Sequence, residues 1–163
     1  VFFASFYSAE PIRAKAKPII DSLFSAGHYT ATGVFGYYLA GGESFPAVGI
    51  IAGLLWAVAM HAYSAVPDIK ADFEAGLHTI AIMIGKQRTI ALCWFLYVFA
   101  GYLVKDIVPI ASFVGAIVFS YFMWRSQRAK TEEALFKLYT YFPMINTLIG
   151  AIVSMELFAK NIW

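Results

Sequence analysis

The chain has 163 residues, of which 61% are hydrophobic and only 13% charged, against about half and a quarter in an ordinary globular domain. With a mean hydropathy of +0.70, that balance excludes a soluble enzyme or a disordered chain. A net charge of +2 builds no basic face for nucleic acid, and one cysteine, Cys93, excludes a disulfide framework or a cysteine metal cluster within the chain. The expected class is all-α, a polytopic transmembrane helical bundle forming a single domain over residues 1–163.

In chain order, residues 1–7 read as the last turns of an apolar helix. Five apolar stretches follow, at 19–40, 46–66, 89–104, 107–124 and 140–158. The third is short for a hydrocarbon layer of about 30 Å. It is expected to borrow residues 80–84 by tilting, with the Lys86 and Arg88 side chains reaching outward. The chain starts at Val1 rather than Met, with no charged leader. It is therefore expected to be the C-terminal part of a longer protein.

The connections alternate in charge. Segments 10–17, 67–88 and 125–137 hold ten of the twelve Lys and Arg, and only Lys105 and Lys160 lie on the other side. The positive-inside rule puts the three basic segments in the cytoplasm, and the alternation requires all five spans.

The segment after the second span runs His61-Ala62-Tyr63-Ser64-Ala65-Val66-Pro67-Asp68, and carries a second acid at Asp72. On a helix, residues four apart share a face, and two like charges there repel. A hard divalent cation between them reverses the sign. Mg²⁺ takes one or two carboxylates plus substrate phosphates, so a diphosphate-bearing substrate is a sensible third party. Pro67 favours a helix start at Asp68, whose positive end suits anions. His61 and Ser64 are expected to continue the same stripe toward the membrane interior. The bland alternative is a solvated acidic pair.

Residues 7–18 hold Arg13, Lys15 and Lys17 at alternate positions beside a membrane end. Arg13 can bind phosphate oxygens as a fork and the lysines as point charges. Topology-setting charges against anionic lipid are the alternative.

Together the two segments resemble the UbiA-type intramembrane prenyltransferase superfamily. Tyr7-Ser8, then Pro11-Ile12-Arg13-Ala14-Lys15, is similar to its tyrosine–proline–arginine–lysine signature. Asp68, Asp72, Gly76 and Thr79, followed by Gly85, resemble its second aspartate-rich motif. Within the superfamily, residues 61–69 look like the lycopene elongase branch. The resemblance covers the end of the fourth span through the ninth. The family's first aspartate-rich motif has no counterpart in these residues, and Glu10-Pro11 stands where similar proteins usually carry Pro-Pro.

The resemblance implies prenyl transfer from an allylic diphosphate to a lipophilic acceptor, with a carotenoid as best fit and Mg²⁺ as cofactor. It implies Asp68 and Asp72 as metal ligands, and Tyr7, Arg13 and Lys15 as catalytic residues at the leaving group. Lys17, His61 and Ser64 would bind substrate, with Tyr29, Phe35, Tyr37, Tyr38 and Tyr63 available to face a carbocation. The partners implied are prenyl diphosphate, the acceptor, membrane lipid, and an N-terminal half or completing chain. The competing readings are a relative with an aromatic acceptor, a non-catalytic membrane scaffold, and a transporter. A transporter would place its carboxylates nearer the bilayer midplane. Glu156 and Lys160 have the spacing of a helix ion pair. Asn146 and His28 suit helix–helix hydrogen bonds.

Overall fold

In an apolar solvent the backbone must satisfy its own polar groups, and long apolar runs do so as helices. The computed structural model describes residues 2–39, 41–44 and 46–160, and among these every regular element is helical. A short α1, Phe2–Ser8, leads through a single 3₁₀ turn at Ala14–Ala16 into α2, Ile20–Leu39. Then come α3, Ala47–Ser64; α4, Ile69–Glu74; α5, Ile80–Ile84; and α6, Lys86–Leu103. The chain ends with α7, Pro109–Arg128, α8, Glu132–Tyr139, and α9, Phe142–Ala159. The long helices α2, α3, α6, α7 and α9 occupy the five apolar stretches. The expected start of the first apolar turns at residue 1 and the expected end of the 19–40 stretch lie outside the described residues, as do residues 45 and 161–163.

Residues 80–84 do not extend the third stretch. Gly85, at φ 80° and ψ 159°, takes a backbone conformation open essentially to glycine alone, and it separates α5 from α6. Nor does Lys86 reach outward. Its Nζ donates to the Ala129 carbonyl at 2.7 Å, while Gln87 Nε2 donates to the Gln127 carbonyl at 3.0 Å. The start of α6 thus satisfies carbonyls at the end of α7, which have no partner within their own helix.

The helices pack as sequential neighbours, α1 on α2, α2 on α3, α3 on α6, α6 on α7 and α7 on α9. The core is aromatic. Tyr97 and Phe119 stack with centroids 3.9 Å apart and planes 2° apart. Tyr63, fully buried, packs on Phe142 and Phe122, and its hydroxyl meets Ser126 Oγ at 2.8 Å. Such pairs contribute about 0.5–1.5 kcal/mol each beyond the area they bury. Tyr63 is therefore a core residue and faces no carbocation.

Trp56 Nε1 donates to Asn146 Oδ1 at 2.7 Å and ties α3 to α9, the kind of interhelical bond expected of Asn146. Toward the N-terminal end of α3, helices α3, α6, α7 and α9 enclose an apolar cavity of about 290 Å³, bordered by Trp56, Gly101, Gly115 and Ile149.

Large side chains point outward along the bundle, among them Phe35, Phe95, Phe113, Met155 and Phe158, each more than 60% exposed. Among the described residues, two stretches are long and apolar enough to cross a membrane: Ala47–Ser64, with mean hydropathy 1.6, and Glu132–Ala159, with 1.5.

Candidate active site

Antiparallel helices bring the end of α1, the start of α2, the end of α3 and α4 to one end of the bundle. Both sequence segments singled out above lie there. At the end of α3, Ser64 Oγ donates to the His61 carbonyl at 2.7 Å, so its hydroxyl proton is engaged within the helix. The helix then stops at Ala65, and the chain turns through Pro67 before α4 begins. His61, Ser64 and Asp68 do not form one continuous helical stripe, because that turn interrupts it.

Asp68 is the residue that opens α4, and Asp72 lies one turn on, with its N–H on the Asp68 carbonyl at 2.8 Å. The pair sits at one helix start, where the expected Pro67–Asp68 boundary falls. Gly76, at φ 69°, closes α4. Leu77 N–H bonds to the Asp72 carbonyl at 2.9 Å and Gly76 N–H to the Phe73 carbonyl at 3.1 Å. These paired bonds around a left-handed residue form a Schellman motif, which favours glycine for want of a Cβ. The four-residue steps from Asp68 to Asp72 to Gly76 therefore have a local cause. Two acids share a face of one short helix, and glycine ends it.

Burial raises the Asp72 carboxyl above its ordinary value, and the charges of Asp68 and then Asp21 add to the shift. Like charges are crowded here, and a cation would relieve them. Among the described residues no group of three or more His, Cys, Asp or Glu is placed to hold a metal. Two adjacent carboxylates without a closed cage fit Mg²⁺ held jointly with substrate phosphates.

The basic segment lies at the same end. Arg13 adopts left-handed backbone angles, φ 43° and ψ 57°, uncommon for a residue other than glycine. Fully buried Ala14 anchors the turn. Arg13 is exposed, with Nη1 3.9 Å from Glu10 Oε1, a pairing worth little in water. Lys15 is half-buried and Lys17 exposed. The three cations remain accessible to an anionic ligand.

Tyr7, half-buried near the end of α1, meets the His61 ring edge-on with centroids 6.4 Å apart. Its phenol also lies in the fields of Asp21 and Asp72. Asp21, in the first turn of α2, is only 5% exposed, and its Oδ2 lies 2.9 Å from His61 Nε2. Asp21 belongs to neither sequence motif. The signal was present: Asp21 is the sole acid in the 19–40 stretch, and an ionisable residue within a span is a functional hypothesis by default. Of the remaining aromatic candidates, Tyr29, Phe35 and Tyr38 are exposed and Tyr37 is half-buried. His28 is exposed, with its ring against Tyr29.

The UbiA prenyltransferase family model matches residues 1–148. The chain belongs to the UbiA prenyltransferase family. It is 32% identical over 154 residues to a lycopene elongase/hydratase of Haloferax volcanii, an alignment covering 94% of the chain and 50% of that protein. It is also 32% identical over 160 residues to a lycopene elongase/hydratase of Corynebacterium glutamicum, covering 94% and 55%. A C(50) beta-cyclic carotenoids biosynthesis protein of a Dietzia species is 37% identical over 91 residues, covering 55% of the chain and 20% of that protein. The chain thus spans about half the length of the curated relatives it matches over most of its length. No solved structure matches it. Membership of the UbiA family bears out the resemblance drawn from the Tyr7–Lys15 and Asp68–Thr79 segments.

Proposed function

We propose that the chain contributes, as one domain with five membrane spans, to an intramembrane prenyltransferase. The enzyme would move a prenyl group from an allylic diphosphate to a carotenoid of lycopene type. What supports the reading is the meeting of two segments far apart in sequence: the Tyr7 ring lies edge-on to the His61 ring with centroids 6.4 Å apart, and His61 leads into the turn and short helix that carry Asp68 and Asp72. The basic turn between Arg13 and Lys17 lies between α1 and α2, at the same end. The lycopene elongase/hydratase names of the relatives support the acceptor class. The outward-facing aromatic and aliphatic side chains support a lipid surround, with segments 10–17, 67–88 and 125–137 on the cytoplasmic side.

Diphosphate leaves slowly until its charge is offset. Asp68 and Asp72 would hold Mg²⁺, which when bound supplies Lewis-acid neutralisation of the phosphate oxygens. Arg13 binds those oxygens through two parallel N–H bonds, and Lys15 and Lys17 add point charges. Tyr7 donates a hydrogen bond to the departing group. These donors act where charge develops on the departing group. His61 and Ser64 line the inner side toward the prenyl chain. The site needs an acceptor pocket and further phosphate-binding groups, which an N-terminal half or completing chain would supply.

Product analysis tests this reading. Membranes containing the natural full-length protein, given an allylic diphosphate, Mg²⁺ and lycopene, are expected to yield a prenylated carotenoid. Asp68→Asn and Asp72→Asn are each expected to abolish it. Prenylation of an aromatic acceptor in preference to lycopene would reassign the acceptor. No transfer to any acceptor would overturn the reading.

A further inference from the structure

Holding diphosphate and metal leaves the Asp21–His61 pair without a task. Asp21 is a carboxylate kept at 5% exposure inside an apolar bundle, with Oδ2 on the ring nitrogen at 2.9 Å. The Tyr7 phenol lies against the same carboxylate, and the neighbouring Ser22 Oγ is buried with no hydrogen-bond partner among the described residues. A buried carboxylate is costly, and helix packing alone gives no reason to keep one. A carboxylate accepts, so Nε2 carries the proton and Nδ1 carries the lone pair. That is how a carboxylate fixes the tautomer of a general-base histidine. The His61 side chain is 20% exposed, so the ring is not sealed in the core. Ser64 bonds to the His61 carbonyl and leaves the ring alone.

We propose that His61 is the general base that ends the prenyl transfer, and that Asp21 is its positioning residue. The proposal rests on the prenyl-transfer reading above. Diphosphate departs with the C–O electron pair and leaves an allylic cation. The acceptor alkene gives its π pair to form the new C–C bond, which moves the positive charge to a tertiary carbon of the acceptor. One proton must then leave. If a C–H bond beside the cation breaks, its electron pair forms the new C=C and the proton goes to His61 Nδ1. If water adds, its oxygen bonds to the cationic carbon, its proton goes to the same nitrogen, and the product is a tertiary alcohol. Asp21 stabilises the imidazolium formed either way. The proton then passes to solvent or released diphosphate, and no oxidant or reductant is needed.

The test compares diphosphate released with elongated carotenoid formed, in the purified full-length protein with Mg²⁺, an allylic diphosphate and lycopene. This ratio does not depend on the folded fraction, so a variant that folds poorly still reports. His61→Gln is expected to keep diphosphate release within about threefold while elongated product falls by about 10²-fold, the typical contribution of a general base. Without the base, the tertiary cation re-expels the allylic cation as the new C–C bond breaks and its electron pair restores the acceptor alkene. Water then bonds to the freed allylic carbon and gives its proton to solvent, and the missing prenyl groups should appear as prenyl alcohol. Asp21→Asn is expected to move the ratio in the same direction by a smaller factor. Asp68→Asn is expected to lower release and product together. Heavy-oxygen water separates the two proton sources within the carotenoid product, since only the hydrated carotenoid takes up the label. An unchanged ratio in His61→Gln would overturn the proposal. So would a parallel fall of release and product, which would assign the pair to diphosphate binding. No release by the natural protein would bring down the prenyl-transfer reading itself, and the base with it.

Discussion

Glu156 on α9 accepts the backbone N–H of Ala111 at 2.7 Å, and its other oxygen takes the N–H of Ile110 at 3.0 Å. Both donors lie in the first turn of α7, where N–H groups have no partner within the helix. Pro109 at the helix start has no N–H to satisfy. Lys160, four residues after Glu156, donates instead to the Ile107 carbonyl at 2.7 Å. The ion pair expected from their spacing is replaced by two side chains fastening the end of α9 to the start of α7. A carboxylate only 9% exposed gains more from two aimed N–H donors than from a flexible surface ammonium.

Glu156→Ala would leave those N–H groups buried and unmatched. It is expected to destabilise the fold by about 2–3 kcal/mol, read by chemical unfolding in detergent micelles. Glu156→Gln keeps one acceptor oxygen and should lose about half as much. Wild-type stability in Glu156→Ala would show that the cap contributes nothing.

The positions of the long helices could be read in the sequence because each is a sustained apolar run, and runs of that length have few alternatives in lipid. The start of the acidic helix was equally legible, since its cause is local, Pro67 before Asp68, whereas Gly76 stood out only as part of the motif and its left-handed stop is seen in the structure. What could not be read depends on contacts between elements. Asp21 and His61 are forty positions apart, and nothing in either neighbourhood names the other. Tyr63 looked available to a substrate, but its partners Phe122, Ser126 and Phe142 come from α7 and α9. Residues 80–84 are apolar enough to extend a span, and the conformation of Gly85 alone prevents it.

The crowded acids make a stability test that runs opposite to activity. Asp72→Asn removes a like charge one turn from Asp68, and without divalent cation should stabilise the protein by about 0.2–0.5 kcal/mol. Wild-type protein with an allylic diphosphate analogue should gain stability on adding Mg²⁺, by mass action, and Asp72→Asn should gain little. Equal gains in both would remove Asp72 from the metal site.

The two positive-φ glycines that bound α4 and α6 should differ in what they tolerate. Gly76→Ala enters a region that L-residues visit at a cost of about 1–2 kcal/mol. Gly85→Ala enters one essentially closed to them and should cost about 1–3 kcal/mol. A Cβ added at either glycine would have no neighbouring atom within 4 Å, so backbone strain sets the order. A larger loss at Gly76 than at Gly85 in unfolding measurements would contradict it.

The Trp56–Asn146 bond can be isolated by a double-mutant cycle with Trp56→Phe and Asn146→Ala. A coupling of about 0.6–1.7 kcal/mol is expected for a hydrogen bond between helices in this setting. A coupling near zero would mean that packing alone joins α3 to α9.

The central claim is that the basic turn and the acidic helix form one diphosphate site. Calorimetric binding of a non-reactive allylic diphosphate analogue to the full-length protein tests it most directly, with and without Mg²⁺. Mg²⁺-dependent binding is expected in the natural protein. Arg13→Ala and Asp72→Asn should each weaken it at least about tenfold, and the double variant by less than the product, as residues sharing one ligand couple. Binding indifferent to Mg²⁺, or unchanged by either substitution, would contradict it.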